Sequence, residues 1–406
     1  MTKTVLFLGA AHQQLAPIEY AKHAGYRIVT SDNRPDNPGH RLADRSHGAS
    51  TADAEAILRI AEQEQIDAVV CYATDVAAPT AAYVSEQLGI PGNPRDAVHA
   101  LTNKARFRRF QIERGYFAPK HLSFDRGELA DPETVQGSVE QALGFPVVVK
   151  PVDASGCKGV SKIQQPAELM PAMDRARELS ISGCVIVEEL VPQLGYQVCG
   201  EGFLQDGRIV FHAFANEHFC EGIVVPVGES FPCIFDQRLV DRAVDILQDM
   251  FSELGLRVGP FNFDLLFTPG GDVFVIEIGP RNGGNRIPEA IKLANQADTI
   301  AATVEAALGR PITLTKHANH FCSTYSVHAK HDGVLESIEY MGGIRDRIAD
   351  EKLFASSGDK VERFDMGSRM IGNLILIFDT YTEMLSTMDR MDDHVRVNMT
   401  SARVTT

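Results

Sequence analysis

The sequence lacks the features of a nucleic-acid-binding or membrane-spanning protein. Its 406 residues contain 39 lysines and arginines against 54 aspartates and glutamates, a formal net charge of -15 at pH 7. A general nucleic-acid binder needs a positive surface field to attract phosphate backbones. No apolar run has the length of a membrane span, and the N-terminal apolar stretch is too short for a secretory signal. We therefore expect a cytoplasmic protein that binds neither nucleic acid nor a membrane.

Cysteine is scarce and follows no known spacing. The seven cysteines are scattered from Cys71 to Cys322, their number is odd, and no CxxC pair occurs. This distribution predicts neither a disulfide framework nor a zinc knuckle. Reduced thiols are typical of cytoplasmic proteins, which agrees with the expectation from charge and hydropathy. Internal repeats and low-complexity segments are also missing from the sequence.

Three patterns of secondary structure follow one another along the chain. Residues 1–115 alternate short apolar strands such as "TVLFLGA" and "IDAVVCY" with amphipathic helices, which predicts a doubly wound parallel α/β domain. Residues 116–310 are richer in strands and indicate an α+β domain. Residues 311–406 predict a small third domain, mostly strands with one helix near 381–391.

The first strand does not carry a dinucleotide-binding fingerprint. That motif requires glycines for a tight turn and for close approach to a pyrophosphate. In "GAAHQQ" Gly9 is present, but Ala11 and Gln14 occupy positions where further glycines are needed. The sequence therefore favours a doubly wound domain without a nicotinamide cofactor.

A lysine-flanked loop of small residues, "VVVKPVDASGCKGV", is the first candidate site. Lys150 ends an apolar strand, where a desolvated ammonium is costly unless an anion meets it. Gly156 and Gly159 let backbone amides turn toward an anion, and Lys158 adds a second charge. The spacing is not that of a Walker loop. A plain turn with two solvated lysines is the alternative.

The strand "VIVEEL" is a candidate adenine-binding edge. It ends at Glu188 and Glu189, and a carboxylate beside free backbone groups offers the acceptors and donors that an adenine needs. Gln197, beyond the following turn, is within reach of a ribose hydroxyl. Taken one at a time, these are ordinary surface residues.

Two acidic residues lie on the two strands of one predicted hairpin, "FNFDLLFTPGGDVFVIEIG". With a loop at residues 269–272, Thr268 pairs with Val273, and Asp264 faces Glu277 with Cβ atoms ~5 Å apart. In the same register Leu266 pairs with Val275 and Asn262 with Gly279.

This acid pair predicts a metal site. Two carboxylates held so close in apolar surroundings repel each other unless a proton or a cation intervenes. Magnesium binds one or two carboxylates together with substrate phosphates. Arg281 follows at once and is placed to neutralise charge that develops on a transferred group. A surface acid pair on an edge hairpin is the alternative.

Taken in order, these motifs resemble the ATP-grasp superfamily, in particular the carboxylate–amine ligases that include bacterial L-amino acid ligases. The resemblance extends over "TNK", "VVVKP", the glycine loop, "VEEL", the acidic hairpin and "EIGPRNGG". It implies an α/β plus α+β protein: a doubly wound N-terminal domain, a two-part nucleotide clamp, and a small C-terminal α+β domain. Within the clamp, it implies a lid at about 116–188 and a catalytic part at about 189–310.

The resemblance also assigns residues to the nucleotide ATP. Lys104 would contact the phosphates, and Lys150 would lie near the α-phosphate and the adenine. Gly156, Lys158 and Gly159 would form a flexible lid over the triphosphate.

Further along the chain, the resemblance assigns the adenine and the ribose. Glu188 would accept a hydrogen bond from the adenine, while Glu189 and Val191 would offer backbone contacts. Gln197 stands where the family has a ribose-binding acid, and it still offers an acceptor.

At the reaction centre, the resemblance implies that Asp264 and Glu277 hold Mg²⁺ and that Arg281 faces an acyl phosphate. The family often has asparagine two residues after the second metal-binding glutamate, whereas Gly279 stands here. We hypothesise that Asn262 or Asn282 supplies the missing oxygen ligand.

The activity implied is the ATP-dependent joining of a carboxylate to an amine through an acyl phosphate, with ADP and phosphate released. The substrates would be small molecules, and a homodimer is a candidate assembly. Activation of bicarbonate or formate, and ATP binding without turnover, remain as alternatives. His212 and His218 are candidate bases among thirteen scattered histidines, and with Cys220 they offer no fourth metal ligand.

Overall fold

The N-terminal sheet is parallel, as predicted. A computed structural model describes residues 2–222, 224–316 and 320–400, except for the side chain of Ala130. Four strands lie in the order β3-β2-β1-β4, all parallel. Their bounds, with those of the helices in this region, are β1 Thr4–Leu8, α1 Leu15–His23, β2 Arg27–Ser31, β3 Arg45–His47, α2 Ala54–Glu64, β4 Ala68–Cys71, α3 Ala78–Leu88, α4 Arg95–Thr102 and α5 Lys104–Glu113.

A second, four-stranded antiparallel sheet carries the small-residue loop. Its order is β5-β8-β6-β7, and two helices pack against it. The elements are β5 His121–Phe124, α6 Pro132–Ala142, β6 Val147–Pro151, β7 Ser161–Ile163, α7 Leu169–Leu179 and β8 Val185–Glu189. Valines fill β6 and β8, so each strand is buried on at least one face, and the loop between β6 and β7 is left at the sheet's end.

The rest of the chain is organised around an eight-stranded antiparallel sheet in the order β13-β12-β9-β10-β11-β14-β18-β16. Strands β15, β17 and β19 form a small separate sheet. The elements are β9 Val198–Gln205, β10 Arg208–Phe219, β11 Pro226–Phe231, α8 Gln237–Leu254, β12 Gly259–Phe267, β13 Val273–Gly279, α9 Ile287–Asn295, α10 Thr299–Ala307, β14 Phe321–Val327, β15 Gly333–Tyr340, β16 Ile348–Leu353, β17 Lys360–Val361, β18 Gly372–Phe378, α11 Tyr381–Met388 and β19 Val395–Thr400.

The two faces of the large sheet pack against different helices. On β12, Phe261, Phe263 and Leu265 point into a core shared with α8, while the residues between them point to the opposite face. That opposite face packs against α9 in a core that contains Cys199 and Phe203 of β9. Asn262 and Asp264 therefore lie on the α9 side of the sheet.

The predicted third domain shares a sheet with the second. Strands β14, β16 and β18 continue the sheet of β9 to β13 across the boundary predicted near residue 310, because β11 pairs with β14. The division into three domains stays a prediction, and the boundary predicted near residue 310 falls within one continuous sheet. Within the described ranges, no helix is long and apolar enough to cross a membrane.

Candidate active site

One cleft gathers most of the predicted site. It encloses about 1020 Å³, including its opening to solvent, and has walls from the four-stranded and the eight-stranded sheets. Gly159 and Arg281 do not line it. The predicted residues that do are Lys104, Lys150, Gly156, Lys158, Glu188, Glu189, Val191, Gln197, Asp264 and Glu277.

Asp264 and Glu277 lie directly opposite each other, as predicted, although the hairpin differs from the predicted one. The loop is one residue longer, so Phe267, not Thr268, pairs with Val273. The predicted pairing of Leu266 with Val275 is likewise wrong, since Leu265 faces Val275.

A β-bulge brings Glu277 opposite Asp264 despite the longer loop. Ile276 is the extra residue, because Val275 pairs with Leu265 while Glu277 pairs with Asp264. Without the bulge, the longer loop would place Glu277 opposite Phe263, on the other face of the sheet. The bulge is therefore what brings the two carboxylates together.

The electrostatics of this pair fit a divalent cation. Burial, Glu217 and Glu277 all raise the pKa of Asp264 well above its usual range. Burial also opposes ionisation of Glu277, but Lys104 and Arg281 outweigh it and lower the pKa of that carboxyl. One carboxylate is thus charged and its neighbour holds a proton, which a cation such as Mg²⁺ can replace.

Lys104 is fixed beside the acid pair by the start of α5. The side chain of Asn103 caps the helix by accepting from the N–H of Arg106, and the N–H of Lys104 donates to the carbonyl of Val152. The ammonium lies 2.9 Å from the carbonyl oxygen of Ala154 and 3.2 Å from Glu277 Oε2. Burial disfavours this charge, yet Glu277 and nearby Asp75 raise the pKa of Lys104. It is therefore cationic in the cleft.

Lys150 and Glu188 form a buried ion pair on the cleft floor. Nζ of Lys150 lies 2.7 Å from Oε2 of Glu188, and Nε of Arg108 lies 2.6 Å from Oε1. Each oxygen of the Glu188 carboxylate thus accepts a hydrogen bond from one protein donor. That Glu188 also accepts a hydrogen bond from an adenine remains a prediction.

The small-residue loop has left-handed backbone at the positions where glycine was noted. Gly156 and Gly159 have φ values of +65° and +72°. A Cβ on Gly156 would meet nothing within 4 Å, whereas one on Gly159 would lie 2.9 Å from Pro151 Cγ. Gly159 therefore packs beneath the loop, while Gly156 and Lys158 line the cleft.

The chain just after β8 has backbone groups beside the cleft. The N–H of Glu189 donates to the carbonyl of Lys120, and that of Leu190 donates to Pro146. The N–H of Val191 donates to no atom of residues 2–222, 224–316 or 320–400. Gln197 donates to Glu217 and keeps its side-chain oxygen as an acceptor.

Arg281 lies just outside the cleft and is held by three acceptors. Its guanidinium donates to Asp75 at 2.6 Å and, at 3.1 Å each, to the side chain of Asn262 and the carbonyl of Asn282. Burial opposes its charge, but Asp75 outweighs burial and raises the pKa of Arg281 further.

Comparison with known proteins agrees with this geometry. The ATP-grasp domain profile matches residues 143–289. Protein y4rH of Sinorhizobium fredii, itself uncharacterised, is 28% identical over 301 residues, which span 70% of this chain and 58% of that relative. A formate-dependent phosphoribosylglycinamide formyltransferase of Burkholderia thailandensis is 30% identical over 297 residues, 68% of each chain. This chain belongs to the ATP-grasp superfamily.

Among solved structures, that of the L-amino acid ligase from Bacillus licheniformis superimposes with a TM-score of 0.81. The match covers 98% of this chain and 99% of that one, at 19% sequence identity. At that identity the likeness bears on the fold alone, and it confirms the predicted fold class.

The glycine at position 279, where ATP-grasp proteins often have asparagine, has a steric reason. A Cβ there would lie 2.7 Å from Asp75 Oδ1 and 2.8 Å from Arg281 Cζ, so the ion pair occupies the space of a side chain. The hypothesis that an asparagine replaces that ligand stays a prediction. The amide oxygen of Asn262 accepts from Arg281, and that of Asn282, which is fully buried, accepts from Thr303.

A second cavity adjoins the cleft of this ATP-grasp protein at Lys104, Ala154 and Glu277, which line both. It encloses about 960 Å³ with its mouth, and Asp75 forms part of its wall. A small molecule there would lie beside the acid pair.

Sequence reasoning missed three residues of the site: Arg108, Asp75 and Glu217. Arg108 and Asp75 hold predicted residues through ion pairs. Glu217 lies near Asp264 and is only 4% exposed, and burial and Glu229 raise its pKa to about 8. Glu217 stands between Asn216 and His218, so no alternation of polar and apolar residues distinguished it, and nothing linked it to the hairpin.

The two candidate histidines do not line the cleft. His212 packs edge-on against Phe214, and His218 lies between Asp389 and Ser230 at 3.0 and 2.8 Å. Cys220 lies 3.8 Å from His328 Nε2 instead of joining them.

Proposed function

We propose that this protein is an ATP-dependent ligase that joins a carboxylate, from an amino acid or another small acid, to an amine. ADP and phosphate are released, and the intermediate is an acyl phosphate. Asp264 and Glu277 would hold Mg²⁺, which supplies positive charge to the phosphates of the nucleotide.

The observation that carries this proposal is the convergence on one cleft of Lys104, Lys150, Asp264 and Glu277. They come from four separate elements, yet they face the same space as the small-residue loop. A nucleotide clamp needs cations that bind the phosphates, acids that bind a metal cation, and free backbone groups that bind the base.

The chemistry proceeds in two displacements. An oxygen of the substrate carboxylate attacks the γ-phosphorus, the bond to the β-phosphate oxygen breaks, and ADP leaves. Lys104 and Lys158 spread the negative charge of the transferred group. The amine then attacks the acyl carbon, loses a proton, and expels phosphate. The adjoining cavity, with the Arg281–Asp75 pair at its edge, is the proposed place of that second step.

A second candidate function is favoured by the relatives. The protein from Burkholderia thailandensis is named for formate-dependent transfer, and formate is itself a small carboxylate. Formate would then take the place of the larger acid, with the same displacements.

Phosphate release from Mg-ATP tests both functions. Amino acids and small acids are supplied in pairs, with formate plus an amine and bicarbonate alone as separate arms. We expect release only when a carboxylate and an amine are both present, with the amide-linked product seen by mass spectrometry. Release with bicarbonate alone, or binding of ATP without release in any arm, contradicts the proposal.

Hydroxylamine tests the intermediate. In place of the amine it should trap the acyl phosphate as a hydroxamate. The Glu277→Gln variant should form none, while Asp272→Asn, a change in the hairpin loop outside the cleft, should behave as the unmodified protein does.

A further inference from the structure

Three side chains of the kinds that bind transition metals meet at one edge of the eight-stranded sheet. They are Cys220, His328 and Asp392, and each offers one atom that lies within 4.8 Å of the atoms of the other two. None of the three lines the cleft or the cavity that adjoins it. No step of the proposed reaction has used them.

The sheet topology brings Cys220 and His328 together. Cys220 directly follows β10, and His328 directly follows β14. Both strands pair antiparallel with β11, which lies between them, so they run in the same direction and end at the same edge of the sheet. Asp392 reaches this edge from a short turn after α11, where its neighbour Met391 is buried in the same core as Tyr325 of β14.

His328 is oriented as metal-binding histidines are. The residue is 4% exposed, and its Nδ1 lies 2.8 Å from the carbonyl oxygen of Ser326. Because a carbonyl oxygen only accepts, Nδ1 carries the proton and Nε2 keeps its lone pair. Burial lowers the pKa of His328, which favours this neutral form. A fixed acceptor on one ring nitrogen and a lone pair on the other are what a metal ligand requires.

The distances in this group suit a tetrahedral ion. Nε2 of His328 lies 3.8 Å from Sγ of Cys220. Zinc bonds of about 2.3 Å to sulfur and about 2.1 Å to nitrogen place these two atoms about 3.6 Å apart. Asp392 is exposed, so a rotation of its side chain can bring the carboxylate equally close. Its Oδ2 lies 2.7 Å from Nζ of Lys330, and a carboxylate has a second oxygen for a metal.

The same three residues do not form a nucleophilic relay. In such a relay the acid binds the ring nitrogen that faces away from the nucleophile, whereas here that nitrogen is bound to Ser326. Burial and Asp392 raise the pKa of the Cys220 thiol to about 11, and an activated thiol has a lowered pKa. Because thiol, imidazole and carboxylate all surround one point, the arrangement fits a metal ion better than a relay.

We propose that Cys220, His328 and Asp392 bind a zinc ion, with water as the fourth ligand. Thiolate and imidazole favour zinc, whereas magnesium prefers oxygen ligands. The thiol gives up its proton when the metal binds, and the two anionic ligands then balance the double charge of the ion.

The role of this zinc site is structural. Phe219 and Val224, which lie on either side of Cys220 in the chain, both line the cleft. A metal that joins Cys220 to His328 fixes the beginning of the connection from β10 to β11 and thereby this part of the cleft wall. The site does not depend on the ligase function proposed above.

Cobalt titration tests the site, because Co²⁺ replaces zinc and absorbs visible light strongly only when its coordination is tetrahedral. The protein is prepared without a histidine tag, with reduced thiols, stripped with a chelator, and supplied with excess Mg²⁺ to fill the acid pair of the cleft. We expect a single Co²⁺ per chain, with a thiolate-to-cobalt charge-transfer band that Zn²⁺ abolishes. Weak absorption without that band would indicate an adventitious ion only and would overturn the proposal.

Two variants with matched controls make the test specific. Cys220→Ser should remove the charge-transfer band, whereas Cys184→Ser, a change just before β8 in the other sheet, should keep it. Asp392→Asn should weaken Co²⁺ binding by roughly 10- to 100-fold. Its neighbour Asp393→Asn, also exposed, should bind as the unmodified protein does. A band that persists in Cys220→Ser, or equal binding by the two aspartate variants, rejects the site.

Thermal unfolding gives a second readout. Zn²⁺ should raise the midpoint of unfolding in the unmodified protein and in Cys184→Ser, but not in Cys220→Ser, because a ligand that binds only the folded state stabilises it. An equal rise in both cysteine variants contradicts the proposal. Neither readout requires substrate, so failure of the zinc site and failure of the ligase function are observed separately.

Discussion

Glu188 is held between two cations, Arg108 and Lys150, at the floor of the cleft. Burial alone would raise the pKa of this carboxyl, but Arg108 and Lys150 outweigh it and lower the pKa to about 2. Arg108 is itself fully buried and also donates to Gln111 and to the carbonyl of Ile276. Removal of one partner from such a group leaves a buried charge uncompensated.

Arg108→Met should therefore be strongly destabilising. We expect the free energy of unfolding to fall by about 3–5 kcal/mol, because the buried Glu188 carboxylate loses one of its two cations. Urea denaturation followed by circular dichroism measures this change. Arg109→Met, an exposed change one residue further along α5, should cost under ~0.5 kcal/mol. Similar losses for the two variants would show that the buried ion pair does not stabilise the fold.

The residues identified from the sequence are those with a local signal. Lys150 ends a valine strand and Gly156 lies in a run of small residues, so each stands out from its neighbours. Arg108 has no such signal, because it is one of three arginines in α5 and its partners lie 80 and 168 residues away. A single sequence does not show which helix residue meets a distant strand.

At the scale of the elements, the hairpin of β12 and β13 depends on its bulge. Strand β13 is at the edge of the large sheet, so its outer carbonyls need partners from elsewhere. Helix α5 provides them: Gln111 donates to Val275 at 2.9 Å and Arg108 donates to Ile276 at 2.8 Å. The helix thus covers the edge at the bulge that orients Glu277.

Gln111→Leu should loosen this edge. The variant keeps the bulk of the side chain but leaves the carbonyl of Val275 buried without a donor, at a cost of about 1–3 kcal/mol in unfolding free energy. Thermal and urea unfolding measure the loss. Gln237→Leu, an exposed change at the start of α8, is the matched control. A Gln111→Leu variant as stable as that control would argue against the capping role.

The pairing of Asp264 with Glu277 was predicted correctly for an incorrect reason. A four-residue loop pairs Asp264 with Glu277 without a bulge, and the longer loop with a bulge at Ile276 gives the same pair. Ile276 is apolar like its neighbours, so nothing in the sequence distinguishes it as the extra residue. Turn residues indicate a hairpin, but its loop length depends on hydrogen bonds that sequence patterns do not encode.

In the complete fold, the eight-stranded sheet joins strands of the predicted second domain to strands of the predicted third domain. The strand pattern after residue 311 predicts strands, but not that β14 would extend the sheet beyond β11. When two strands both have apolar faces, their sequences do not indicate which strand pairs with which. The N-terminal parallel sheet was predictable because alternating strands and helices allow few arrangements.

The large sheet also carries a row of buried acids on its α9 side. Burial raises the pKa of Glu201 and of Glu229 to about 7, and that of Glu217 to about 8. Each is protonated in the folded protein at pH values where it ionises in the unfolded chain. The stability that this confers is complete below the unfolded pKa and is lost as pH rises through about 7–8.

The ligand-free protein should therefore be less stable at about pH 8.5 than at about pH 5.5. In Glu229→Gln that loss should shrink by about 2 kcal/mol, because between about pH 5.5 and the folded pKa of about 7 the group ionises in the unfolded chain but not in the folded protein. Urea denaturation at both pH values compares the variant with Glu178→Gln, a change on α7 away from the sheet. The same loss in both variants would contradict the raised pKa of Glu229.

We propose that Asp264 and Glu277 together hold a magnesium ion against the nucleotide, and calorimetric titration of ADP with and without Mg²⁺ is the decisive measurement. We expect Mg²⁺ to tighten ADP binding by roughly 10-fold or more in the unmodified protein and in Asp272→Asn, and to have no such effect in Asp264→Asn. Full retention of the Mg²⁺ effect by Asp264→Asn would contradict the account.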